Sequence, residues 1–321
     1  MEGNFQKIKS LFKEANVIHS TQIDPSPEDG GKERHNTPQL LDLVTKAGTD
    51  VIILAGSSGV TIEDIKKLAS EIKNLEAKNG TTIPVLYAPP SPMLARPEDV
   101  KDLFYSIDYL LVYELINDIQ TNGTSGAAVA SALYNYGQHI EWVKMFLKEN
   151  VQVPWRKTIG IPYLIINPTG TAAQRVKTLI PKDVNEVIAR SQVFIDRRGA
   201  LYFESTGQDN FTTMTDSEAK IVNADELART YIRATEESLY DTPYKDAVII
   251  SGGNIKDEDR AEGRIKAGAK WINVGGVVYT DPTGGYLGTI KATKKSDPKA
   301  TPEYLRQLDE LHQKIGQSIL I

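Results

Sequence analysis

The chain has 321 residues, 40% hydrophobic and 25% charged, with a formal net charge of −5 and no cysteine. That is enough apolar material for a large core without staples, and the missing cysteine excludes disulfides, thiolate zinc sites and cysteine nucleophiles, in keeping with a reducing cytoplasm. The acidic balance argues against nucleic acid as a partner, and His19, His35, His139 and His312 show no metal-ligand spacing.

Phe5, Ile8, Leu11 and Phe12 recur at helical spacing, so residues 4–15 read as a lead-in helix. That segment has no apolar signal-peptide core, and no apolar run reaches the roughly 18 residues of a membrane span, so a cytoplasmic protein is expected. Transient contact with a membrane surface, to collect a lipid, remains open. Val17 to Ile23 is a strand broken by Asp24-Pro25, and 38–47 is helical. The apolar run 50–54 meets Gly56-Ser57-Ser58-Gly59, and Thr61 with Asp64 caps a helix over 62–77. Strands follow at 83–87, 109–112, 161–166, 201–204, 247–250 and 271–274. Helices are expected at 125–149, 182–193, 224–239, 257–267 and 302–319. The stretches 123–126 and 280–299, the latter rich in Gly, Pro and Lys, read as mobile loops.

Eight strands, nearly all apolar on both faces and alternating with helices, belong to a parallel sheet. That number of units in one chain of this length predicts an α/β fold, a (β/α)8 TIM barrel over residues 1–321 as a single domain, with an open doubly wound sheet as the fallback. The third and fourth units are the place where it would be modified.

In such a barrel the chemistry sits at the C-terminal strand ends. Leu201-Tyr202-Phe203-Glu204-Ser205-Thr206-Gly207 runs from a strand into a carboxylate, two hydroxyls and a glycine. Glu204 is a candidate general base or a solvated strand-end carboxylate, and Tyr202, on the same side, either orients a substrate or packs. Gly252-Gly253-Asn254 and Gly275-Gly276 end strands seven and eight, where backbone N–H groups of glycine turns bind phosphate. Asp24 either holds Mg²⁺ in front of a diphosphate or makes an Asp-Pro turn. Ser57 is either a second oxygen ligand or a helix cap. Asn117-Asp118 with Thr121 and Ser125 only faintly echoes a metal motif and is discounted.

At these residues the chain resembles the geranylgeranylglyceryl and heptaprenylglyceryl phosphate synthase family. Gln22-Ile23-Asp24-Pro25 resembles its first-strand acid motif. The segment from Gly56 to Thr61 resembles its second turn, and 167–173 its Asn-Pro turn. The stretch from Tyr202 to Gly207 is similar to its Tyr-x-Glu-x-Ser-Gly signature, and 251–255 and 274–279 resemble its glycine loops. The resemblance implies a modified TIM barrel, a transferase that joins a polyprenyl diphosphate to the hydroxyl of a phosphorylated three-carbon acceptor such as glycerol 1-phosphate through an ether bond. It implies Mg²⁺ as cofactor, held by Asp24 and Ser57, and Glu204 as the base, assisted by Tyr202. It assigns Ser205, Thr206, Gly207, Gly252, Gly253, Asn254, Gly275 and Gly276 to the acceptor phosphate and glycerol. A homo-oligomer is compatible with it.

Two positions depart from the pattern: Asn254 stands where the family has a third glycine, and Gly276 where it has an asparagine. One reading is an exchange in which the amide is supplied from the other loop. The segment 114–162 also differs. A second resemblance is to the prenyltransferases of moenomycin-type pathways, which implies 3-phosphoglycerate as acceptor and gives Asn254 or Arg175 to its carboxylate. A prenyl diphosphate cyclase or lyase on the same barrel is a further alternative.

Overall fold

The eight strands expected from the sequence close on themselves. In the computed structural model, which describes residues 2–12, 15–25, 28–29, 32–33, 36–55, 61–88, 103, 105–116, 157–170, 173–174, 180–181, 183–215 and 218–319, they form one closed parallel barrel. The strands are β1 (Ile18–Ile23), β2 (Val51–Leu54), β3 (Val85–Tyr87), β4 (Tyr109–Leu115), β5 (Thr158–Ile165), β6 (Ala200–Glu204), β7 (Val248–Gly252) and β8 (Trp271–Val274). Each pairs with its sequence neighbour, and β8 returns to β1 through the register Ile18 with Trp271 and Ser20 with Asn273.

Strand parity divides the apolar residues into two buried clusters, as the pleat requires. One face of the strands, with Leu201, Phe203, Ile249 and Ile272, packs against the outer helices. The other fills the barrel with Ile18, Ile53, Leu111, Ile161, Ala200, Tyr202, Ile250 and Trp271. A void of about 10 Å³ lined by Tyr202, Asn273 and apolar neighbours lies in this interior, about the least space one water needs.

The N-terminal end of the barrel is closed by α1 (Glu2–Phe12), whose Ile8 and Leu11 join the interior cluster. Asn4 fastens it there, donating to the carbonyls of Gly160 and Arg198 and accepting from the Gly160 N–H. Around the sheet run α2 (Pro38–Lys46), α3 (Ile62–Asn79), α4 (Val184–Arg198), α5 (Ala224–Leu239) and α6 (Glu258–Lys266). Thr61 and Asp64 form the reciprocal cap that starts α3, and Asp257 caps α6.

The segment 280–299 is not the loop its composition suggested. It follows the short α7 (Gly276–Thr280), passes through a π turn at Pro282–Tyr286, and continues as α8 (Leu287–Lys295) before α9 (Pro302–Ile319). Asp281 makes the turn possible by accepting from Gly284 N–H at 2.9 Å and Gly285 N–H at 2.6 Å. Glycine is required at 285 because a Cβ there would overlap the Lys256 carbonyl oxygen. What fixes α8 is tertiary. Tyr286, Thr289 and Ile290 are fully buried, His19 contacts Thr289, and Lys294 pairs with Asp50.

A hairpin, Asn210–Thr215 with Glu218–Asn223, was not legible in the sequence. The expected 125–149 helix, the expected 123–126 loop, most of the third and fourth units apart from β3 and β4, Ser57 and Arg175 lie outside the described residues. No helix among the described residues is long and apolar enough to cross a membrane.

Candidate active site

The barrel interior changes from apolar to polar as it rises, and Glu204 stands at the top of that gradient. Parity along β6 points Tyr202 and Glu204 inward together, and Tyr202 donates to Glu204 Oε2 at 3.0 Å. The other carboxylate oxygen is held by the next turn: the Thr206 N–H donates to Oε1 at 2.7 Å, and the Thr206 hydroxyl donates to the same atom. Glu204 is 7% exposed, so both oxygens are pinned while one edge still meets solvent.

Three phenols surround this carboxylate. The rings of Tyr113, Tyr163 and Tyr202 lie 4.7–5.5 Å apart. Burial raises the pKa of all three, and the negative charge of Glu204 raises each further. All three are therefore O–H donors at neutral pH. Within this cluster the proton acceptor is the carboxylate.

The glycine turns stand against it without slack. A Cβ on Gly252 would overlap the Tyr202 hydroxyl. Gly253, at φ 77°, would overlap Thr206 N and Glu204 Oε1 if it carried one. Gly207 abuts Asn167 and Thr169 in the same way. Asn254 keeps the left-handed backbone of the glycine it replaces, at φ 54°, and its side chain donates to the Ser205 carbonyl at 2.9 Å. Its amide thus braces the turn. Gly275 and Gly276 begin α7, and the space a Cβ would take at Gly276 is open.

Ser205 is placed differently from its neighbours. Its side chain is fully buried, with the hydroxyl directed at the carbonyls of Gly252 and Gly253, at 3.0 and 2.7 Å. It ties the β6 turn to the β7 turn. Behind it lies Arg264, a fully buried guanidinium that the sequence reading missed among the charges of α6. Arg264 donates to Asp225 Oδ1 at 2.8 Å, Ser251 Oγ at 3.0 Å and Ser205 Oγ at 3.1 Å. Further out, Asp209 accepts from both Arg260 and Lys256, and these two bonds hold its pKa down at about 2. Arg260 also donates to the Asn254 carbonyl, so the β6 and β7 loops are laced together on two levels.

Asp24 lies at the C-terminal end of β1 and is 2% exposed. Its N–H donates to the Tyr279 hydroxyl at 2.9 Å, and Asn36 closes the clasp by donating to its carbonyl. Among the described residues no three His, Cys, Asp or Glu gather as a metal site. A single carboxylate still fits Mg²⁺, which takes one or two protein oxygens and completes its shell from phosphate and water.

Asn273 was also missed. It lies inside the barrel on β8, donating to the Tyr202 oxygen at 2.8 Å. The signal was available: an amide in Trp-Ile-Asn-Val, on the same face as the indole.

Four similarities bear on this geometry. The model of the PcrB family matches residues 10–294. The geranylgeranylglyceryl phosphate synthase of Methanoregula boonei is 23% identical over 282 residues, covering 86% of this chain and 97% of that one. The heptaprenylglyceryl phosphate synthase of Bacillus thuringiensis (strain Al Hakam) is 23% identical over 279 residues, 86% and 96% of the two chains. Among solved structures, the (S)-3-O-geranylgeranylglyceryl phosphate synthase of Thermoplasma acidophilum, in complex with sn-glycerol-1-phosphate, superimposes with a TM-score of 0.59. It is 19% identical and covers 90% of this chain and 98% of its own. That likeness is one of fold.

Proposed function

The chain belongs to the PcrB family, and from that premise we propose that it is a prenyltransferase joining a polyprenyl diphosphate to one of the two free hydroxyls of sn-glycerol 1-phosphate or a close analogue. The observation that carries the proposal is the pinned Glu204 carboxylate at the open end of a filled barrel, with the Gly252-Gly253 turn pressed against it.

Glu204 takes the proton of the acceptor hydroxyl as that oxygen attacks C1 of the prenyl chain. The new C–O ether bond forms while the bond from C1 to the diphosphate oxygen breaks, and diphosphate leaves with the electron pair. Tyr202 and Thr206 hold the two oxygens of the base in place, so the proton has one direction to travel. Backbone N–H groups of Gly207 and of the turns at 252–254 and 275–276 bind the acceptor phosphate, the Thr206 N–H being held by Glu204. Asp24 would hold Mg²⁺, with Ser57 as its proposed partner, and the ion would neutralise charge on the leaving diphosphate.

Glycerol 1-phosphate is preferred over 3-phosphoglycerate on one observation. The Asn254 amide, one of two groups suited to the extra carboxylate, is already bonded to the Ser205 carbonyl. The test is a transfer assay with C10, C15 and C20 prenyl diphosphates against glycerol 1-phosphate, glycerol 3-phosphate and 3-phosphoglycerate, read by mass spectrometry. An ether adduct with glycerol 1-phosphate supports the reading. Diphosphate release that needs no acceptor, with a hydrocarbon or alcohol product, would make the protein a cyclase or lyase.

A further inference from the structure

We propose that Asn273 is a positioning residue for the Tyr202–Glu204 pair, and that Ser20 and Trp271 set its orientation from inside the barrel. The inference rests on Glu204 as the base and extends that reading down into the barrel.

The Trp271 indole N–H can only donate, and it donates to Ser20 Oγ at 2.7 Å. Ser20 passes its own proton to Asn273 Oδ1, also at 2.7 Å. With its carbonyl oxygen taken, the Asn273 amide presents N–H groups to the Tyr202 oxygen at 2.8 Å and to Gln22 Oε1 at 3.4 Å. An N–H facing the phenol oxygen leaves the single Tyr202 proton for Glu204 Oε2. The row starts at a group that can only donate and ends at a carboxylate that only accepts.

The reverse arrangement is the one the fold disfavours. Turning the Asn273 amide over would draw the Tyr202 proton away from Glu204. It would also send the Ser20 proton to the Ile272 carbonyl, 3.5 Å away. That is a poor bond in place of one at 2.7 Å, between side chains that are fully or almost fully buried. An amide buried in a strand between Ile272 and Val274 is costly unless fully bonded, and here every polar atom of it has a partner. Its product is a base with both oxygens fixed.

The experiment is a double-mutant cycle on the full-length chain. Asn273→Leu removes the donor at nearly constant volume. In the otherwise unchanged protein it should lower kcat about tenfold while leaving the KM of both substrates within about twofold. In a Tyr202→Phe background it should lower kcat less than about twofold, because the hydroxyl it acts through is gone. Equal losses in both backgrounds would overturn the proposal. If Asn273→Leu fails to fold, Asn273→Asp, which cannot donate, takes its place in the cycle.

A second readout does not depend on turnover. The ¹³Cζ resonance of Tyr202 should shift in Trp271→Phe, a substitution that removes the first donor of the row. An unmoved resonance would overturn the assignment of Trp271 and Ser20. An unmodified protein that transfers no prenyl group to any acceptor would instead refute the reading of Glu204 as base, and the resonance would then decide the positioning claim alone.

Discussion

Arg264→Met tests whether the phosphate-binding turns are held from behind. Arg264 is fully buried and contacts Asp225, Ser251 and Ser205, so the substitution removes three donors at similar side-chain length. Breaking a buried pair by deleting one partner costs about 3–5 kcal/mol. Asp225 is 12% exposed and retains an ion pair with Arg229, which places the cost at the lower end, about 3 kcal/mol. For a chain of this size that corresponds to a fall in Tm of about 4–5 °C. Urea unfolding measures it, and Arg264→Met/Asp225→Leu should recover most of the loss because neither charge is then left buried alone. With Ser205 and Ser251 unsupported, the KM for the acceptor phosphate should rise about tenfold with kcat little changed. A single variant within about 1 kcal/mol of the parent, with an unchanged KM, would refute the reasoning.

Gly253→Ala should lower kcat/KM by roughly 100-fold, since the new methyl must displace Glu204 or Thr206 and the backbone is left-handed there; an active variant would show that the turn has room. His19 gives a pH dependence. Burial, then the nearby Lys294 and His312 charges, lower its pKa well below 6.5 in the folded state. The unfolded chain therefore binds a proton that the folded chain refuses, and stability should fall as pH drops below about 6.5, by up to about 1.4 kcal/mol per unit. Burial lowers His312 in the same direction, so His19→Gln should reduce the slope without removing it. Chelation with EDTA should abolish transfer and Mg²⁺ should restore it, while Asp24→Asn should raise the Mg²⁺ concentration needed for half-maximal rate. An unchanged requirement in Asp24→Asn would remove Asp24 from the metal site.

The barrel was legible because its strands are apolar on both faces, a pattern that excludes one-sided sheets. Glu204 and Tyr202 were legible for a related reason, since alternation along β6 puts them on one side at the strand end where barrels do their chemistry. Other features depend on distant partners. Arg264 is one charge among several on its helix, and its burial follows from Asp225, 39 residues earlier. α8 owes its place to buried partners such as His19, on the first barrel strand, which its own Gly- and Lys-rich stretch does not reveal. The resemblance assigns Ser205 to the acceptor phosphate, and its hydroxyl is directed at two carbonyls of the neighbouring turn. Local composition gives the type of a residue's partner more readily than its direction.

The most direct measurement is transfer by Glu204→Gln under conditions where the unmodified protein converts prenyl diphosphate and glycerol 1-phosphate to the ether. Glutamine keeps the shape, and its single carbonyl oxygen can still accept from Thr206 while its amide N–H meets the Tyr202 oxygen, so folding and acceptor binding should persist while kcat falls by roughly 100-fold or more. Transfer at an undiminished rate would contradict the account, because the proton would then have another destination.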